Sequence, residues 1–155
     1  MTQLQDIPIL EKLEDFRLRL GETQLDLSPL ENFVNLKKID FEGCGITDLK
    51  PLSKLKKLKC VNLGYNKIND LSGLQNSKSI TELELHCNQI EDISALSSLK
   101  KLKKLYIQDN QITNITPLSE CKDLRILFIY HNKISDIEPL SKCEQLNELD
   151  IHKNI

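Results

Sequence analysis

Six apolar residues, Leu36, Leu58, Ile80, Leu102, Leu124 and Leu146, stand 22 residues apart with no insertion between them. A strict period of this length confines the chain to a stack of like units, because each unit buries its apolar side chains only against its neighbours. With that column numbered position 1, position 4 reads Ile39, Val61, Leu83, Leu105, Leu127 and Leu149, and position 6 reads Phe41, Leu63, Leu85, Ile107, Ile129 and Ile151. Positions 11, 14, 17 and 20 carry the remaining apolar columns, with Ser77, Cys121 and Cys143 replacing Leu at position 20. The composition follows from the repeat. There are 28 Leu and 17 Ile in 155 residues, with a single Ala, so a few core positions are copied many times.

Upstream, Leu18, Leu20, Thr23 and Leu25 fit positions 4, 6, 9 and 11 with Asp15 at position 1. This gives repeats starting near 15, 36, 58, 80, 102, 124 and 146, the last one incomplete. Residues 1–14 read as a cap or partial repeat, with Asp6-Ile7-Pro8-Ile9-Leu10 as the second half of a still earlier unit. The last unit stops straight after its strand, which leaves Leu146, Leu149 and Ile151 at an open edge and reads as a fragment of a longer protein.

Within a unit, positions 3 to 7 alternate as a short strand. Position 9 carries Asn66, Asn88, Asn110, Asn132 and Asn154, with Cys44 and Thr23 as smaller substitutes. An amide there is placed to satisfy backbone groups that no sheet ladder reaches. The return segment is apolar at every third residue, which suits a 3-10 turn or irregular coil. Pro29, Pro51, Pro117 and Pro139 at position 16 disfavour a continuous α-helix.

The pattern L-x-x-L-x-L-x-x-N-x-I resembles the leucine-rich repeat. The form with D-I-x-P-L-S, as in Asp136-Ile137-Glu138-Pro139-Leu140-Ser141, is similar to two 22-residue families. One is the leucine-rich regulatory subunit of protein phosphatase 1, which is intracellular; the other is the bacterial internalins, which are exported adhesins. The resemblance implies an α/β-type repeat solenoid, a curved leucine-rich-repeat horseshoe with a parallel β-sheet on the concave face and 3-10 or irregular structure on the convex side. It also implies protein binding on the concave face.

That face carries positions 3, 5 and 7, flanked by position 8. Tyr106, Phe128, Tyr130 and Ile126 are expected to form one patch on adjacent strands about 4.8 Å apart. Exposed aromatic groups of this kind favour protein interfaces. All three His, His86, His131 and His152, fall on or beside this face, as does Tyr65. Asp40, Glu84 and Asp150 add a polar rim, and acidic and aromatic concave residues are what the phosphatase-regulator resemblance implies for these columns.

Lys56, Lys57, Lys59, Lys100, Lys101, Lys103, Lys122 and Arg125 gather at positions 21, 22 and 2, while Asp48, Asp70, Glu91, Asp92 and Asp136 gather at positions 12 and 13. These read as two solvated edges. The net charge of −2, with no stacking aromatics among the lysines, gives no case for nucleic acid. No apolar run reaches membrane-span length, and the start lacks the pattern of a secretion signal. The five Cys read as reduced thiols in a cytoplasmic protein, with the nucleus as a further site. No glycine-rich phosphate loop, metal spacing or nucleophile constellation stands out, so neither catalysis, a cofactor nor a metal is expected.

The expectation is a non-catalytic scaffold for a protein partner, a phosphatase catalytic subunit being the partner that the resemblance implies. The alternatives are an exported internalin-like adhesin and the recognition domain of a larger enzyme.

Overall fold

The computed structural model describes residues 4–8, 10–21 and 23–154. Seven short strands lie side by side in chain order in one parallel sheet: β1 (Asp15–Arg17), β2 (Lys38–Asp40), β3 (Cys60–Asn62), β4 (Glu82–Glu84), β5 (Lys104–Tyr106), β6 (Ile126–Phe128) and β7 (Glu148–Asp150). The unvarying repeat length fixes the register. Ile39 lies opposite Val61, Leu83 opposite Leu105, and Leu127 opposite Leu149. Side chains alternate across the sheet. Positions 4 and 6 therefore enter the core, while positions 3, 5 and 7 form rows on the open face.

Strands β1 to β6 each return through a 3-10 helix, at Ser28–Asn32, Lys50–Lys54, Ser72–Leu74, Ser94–Ser98, Thr116–Glu120 and Glu138–Lys142. Three residues per turn bring every third side chain onto one line, which is why positions 11, 14, 17 and 20 are the apolar ones. The four prolines at position 16 enter these helices in their first turn, where a missing N–H costs nothing.

The acids at position 13 do more than solvate an edge. Asp48 Oδ1 accepts from the Lys50 N–H at 2.9 Å, Asp70 from Ser72 at 2.8 Å, Asp92 from Ser94 at 2.8 Å and Asp136 from Glu138 at 2.9 Å. Asn114 does the same for Thr116 at 2.9 Å. The column is a series of side-chain turns that open each 3-10 helix.

The first unit differs from the sequence reading. Phe16 pairs with Ile39 and Asp15 with Lys38. Phe16 and Leu18, rather than Leu18 and Leu20, therefore hold positions 4 and 6, and Asp15 holds position 3 instead of position 1. Leu25 keeps position 11, its N–H bonded to the Cys44 carbonyl at 3.0 Å. Two extra residues are absorbed between strand and turn, where Gly21 takes φ +69°. Aromatic packing decides the register: the Phe16 ring sits edge-on to Phe41 at 5.3 Å and tilted against Phe33 at 6.3 Å.

The core is a continuous column of Leu and Ile. Cys121 and Cys143 sit buried within it, and burial pushes the Cys121 thiol up to about 12. At the N-terminal end, Leu4 is buried and Ile7 packs on the column; Ile9 of the expected cap lies outside the described residues. At the other end, where β7 is the last described strand, Leu149 is 43% and Ile137 50% exposed. No helix among the described residues is long and apolar enough to cross a membrane.

Candidate functional site: the open face of the sheet

Behind the open face runs the amide column that holds the rungs together. Asn66 Nδ2 donates to the carbonyls of Phe41, Leu63 and Gly64 at 2.9–3.0 Å, and its Oδ1 accepts from the N–H groups of Cys44 and Ile46. Asn88, Asn110 and Asn132 repeat the pattern, each reaching one unit back and its own turn. Asn154 spans to the Ile129 carbonyl at 3.1 Å. In the same column, the Cys44 Sγ–H points to the Leu18 carbonyl at 3.2 Å, a single-donor version of the amide.

The preceding residue takes a left-handed backbone at every rung from Gly43 onward: Tyr65, Cys87, Asp109, His131 and Lys153 have φ of 51–56°. This conformation costs a non-glycine residue about 1–2 kcal/mol. It is held by N–H bonds to the next rung, such as Tyr65 to the His86 carbonyl at 2.9 Å and Asp109 to the Tyr130 carbonyl at 3.1 Å. Gly43 is its clearest sequence signal, with Asp109 and His131 of residue types enriched in this region. The bend swings position 8 out of the strand rows, and Tyr65 is 59% exposed as a result.

The open face divides along the chain. On β1 to β4 it is charged. Arg19 binds Asp40 at 3.1 Å and Glu42 at 2.9 Å, and the Asn62 amide donates to both acids at 3.1 Å. These bonds hold the Glu42 carboxyl below its ordinary range against the opposing effect of burial. Glu82 faces Lys104 at 3.6 Å. Glu84, half-buried in the middle row, is pushed up by burial, with Glu82, Asp40 and Glu42 adding like charge and His86 opposing it. His86 lies over Gly64 and edge-on to Tyr65 at 5.1 Å, with its Nδ1 buried and unpaired. Gln108, next in that row, likewise buries an unpaired Oε1.

On β5 to β7 the face is aromatic. Tyr106 and Phe128, opposite each other in register, meet edge-to-face at 5.2 Å, with half-buried Ile126 beside them. Tyr130 belongs to a second ring group. It stacks on His152 at 4.5 Å and meets His131 edge-on at 5.3 Å. His131 Nδ1 contacts Asp109 at 2.7 Å, and His152 Nδ1 contacts Asp150 at 2.5 Å, holding the Asp150 carboxyl below its ordinary range. The sequence-predicted residues thus fall into distinct groups: Tyr65 with His86, Tyr106 with Phe128 and Ile126, and Tyr130 with His131, His152 and Asp150. Asp40 and Glu84 lie on the charged half. Arg19, Asn62 and Glu82 complete that half; the spacing already sets Arg19 and Asn62 on the rim, and strand pairing adds which side chains they and Glu82 meet.

A family model described as leucine-rich repeats (two copies) matches residues 34–76, 78–120 and 122–155. Among solved structures, an internalin (inlF) from Listeria monocytogenes superposes with TM-score 0.90 and 32% identity, covering 97% of this chain and 44% of its own. Internalin C2 (inlC2) of the same organism gives 0.72 and 28%, covering 84% and 68%. The ectodomain of the receptor kinase GASSHO1/SCHENGEN3 from Arabidopsis thaliana shares the fold, with TM-score 0.80 and 22% identity over 90% of this chain and 18% of its own. This chain thus spans less than half of the inlF structure. No curated protein matches it. The in-phase amide column, the in-register strands and the matched segments together place the chain in the leucine-rich-repeat family.

Proposed function

We propose that the chain is a non-catalytic protein-binding scaffold that works from the open face of its sheet. The observation that carries this is the Tyr106–Phe128 pair: two large rings on adjacent strands, on the solvent side of the sheet, ringed by charged and polar side chains. An apolar centre within a polar rim is the make-up of a protein interface. Support comes from the Arabidopsis ectodomain, which is solved in complex with Casparian strip integrity factor 2. Tyr130, Ile126, His131, His86, Glu84, Asp150, Asp40 and Tyr65 make up the rest of the surface. In the phosphatase-regulator form of this reading, the partner is a protein phosphatase catalytic subunit and the site of action is the cytoplasm; the five unpaired thiols fit a reducing compartment.

The test is the double variant Phe128→Ala/Tyr130→Ala, purified with its thermal transition checked and used as bait beside the unaltered chain. Partners captured by the unaltered chain are lost by the variant. An unchanged partner set removes the open-face reading.

A second reading, an exported internalin-like adhesin, is favoured by the 32% identity to inlF across 97% of this chain. Fractionation of the source cells separates the two readings: recovery outside the cell supports the adhesin, and recovery in the soluble interior supports the scaffold.

A further inference from the structure

The charged and aromatic halves of the open face meet at β4 and β5, and the junction has a definite shape. On its charged side a hollow of about 70 Å³, the space of a few water molecules, opens across β2 to β4 and ends at Glu84. Lys38, Asp40, Cys60, Asn62, Glu82 and Glu84 line it, with Ile39 and Val61 beneath. Of the cations around it, Arg19 is engaged by Asp40 and Glu42 and Lys104 by Glu82, while Lys38 stands at the far side on β2, two strands from β4. Glu84 has no hydrogen-bond donor on its carboxylate among the described residues, and it lies beside the Asn62 amide with the acids Glu82 and Asp40 in the same hollow. Tyr106 stands on the next strand, and on the one after it Phe128 and Ile126 complete an apolar seat.

We propose that the junction binds a polypeptide segment in the polyproline II form that places an Arg or Lys over Glu84 and, three residues along on the same side of the segment, a large apolar side chain on Phe128 and Ile126. The spacing follows from geometry. Two strand spacings are about 10 Å, and a polyproline II chain advances about 3.1 Å per residue and brings every third side chain back to the same side. The charge follows from complementarity: a carboxylate among like charges, partly withdrawn from water, is stabilised most by a cation brought by the ligand, and Tyr106 beside it presents a ring to the same cation. This inference rests on the open-face reading above and gives that reading a ligand chemistry.

The test uses fluorescein-labelled decapeptides in a Gly/Ser background and the whole chain, read by fluorescence anisotropy. One peptide carries Arg and Leu three residues apart; the others replace Arg with Glu, or Leu with Ser. The Arg/Leu peptide binds at least about tenfold more tightly than either control. Glu84→Gln removes the preference for Arg, Glu84→Lys transfers it to the Glu peptide, and Phe128→Ala weakens the Arg/Leu and Glu/Leu peptides alike. An absence of binding by any peptide, equal binding of Arg and Glu peptides, or an Arg preference that survives Glu84→Lys overturns the inference. The middle result, if it remains sensitive to Phe128, leaves the open-face reading standing; only capture unaffected by Phe128→Ala/Tyr130→Ala removes that.

Discussion

The turn side of each rung and the open face of the sheet are made by the same 22-residue unit, but they tolerate different things. On the turn side one rung copies the next: an amide reaching one unit back, a left-handed residue before it, an acid opening the 3-10 helix. On the open face no two adjacent rungs agree. The middle row runs Asp40, Asn62, Glu84, Tyr106, Phe128, Asp150. Stacking demands that each unit fit its neighbour's backbone, so the turn side is constrained by the fold. The open face contacts solvent, leaving its side chains free to vary with a partner.

Two glycines break this comparison most sharply. Gly73, on the return segment, would place a Cβ 2.1 Å from the Leu49 carbonyl oxygen, whereas Gly64, on the open face, would place one 2.4 Å from the His86 ring. A backbone carbonyl held in the stack has nowhere to go, while an imidazole on an open face rotates away. Gly73→Ala is expected to cost about 3 kcal/mol in chemical denaturation and Gly64→Ala less than about 1 kcal/mol. Equal costs would mean that the open face is packed as rigidly as the stack.

Next in size is the amide column against the aromatic pair. Asn110 donates to the Leu85, Ile107 and Gln108 carbonyls and accepts from the Ile90 N–H. Asn110→Ala strands these buried groups and is expected to cost about 2 kcal/mol. Phe128→Ala removes a larger side chain but strands nothing, and about 1 kcal/mol is expected for the lost ring contact. The smaller side chain thus carries the larger cost. The reverse order in urea denaturation would show that the Phe128 ring serves the core more than a partner.

The same contrast sets what the sequence reveals. Whatever each rung must repeat is visible as a column, so the strands, the core, the 3-10 return and the Asn positions are legible from spacing alone. Legibility fails where one rung departs. Phe16 was hidden because two extra residues near Gly21 break the phase, and an aromatic contact with Phe41 outweighs the spacing of Leu18 and Leu20. On the open face, alternation says which residues point outward but not which of them touch. Tyr130 turns to His152 instead of Phe128, and Arg19 closes on two acids of the next strand, because side-chain rotation and charge pairing act between units.

The smallest effect separates two acids of the turn side from Glu84 on the face. Ser28 bonds to Asp26 and Ser72 to Asp70, and these bonds hold both carboxyls below their ordinary range. A carboxyl lowered in the folded state contributes stability above its unfolded value, about pH 4, and loses that contribution as pH falls through the folded value. Glu84 has the opposite sign: burial raises its carboxyl, so protonation relieves the folded state as acid is added. Asn already opens the helix at Asn114, so Asp26→Asn/Asp70→Asn keeps the turn bond while removing its titration. Between about pH 5 and pH 3, the melting temperature of the double variant should fall less than that of the unaltered chain, and Glu84→Gln should fall more. Parallel curves for all three chains would mean that the turn acids act through shape alone and that the charge at Glu84 costs the folded chain nothing.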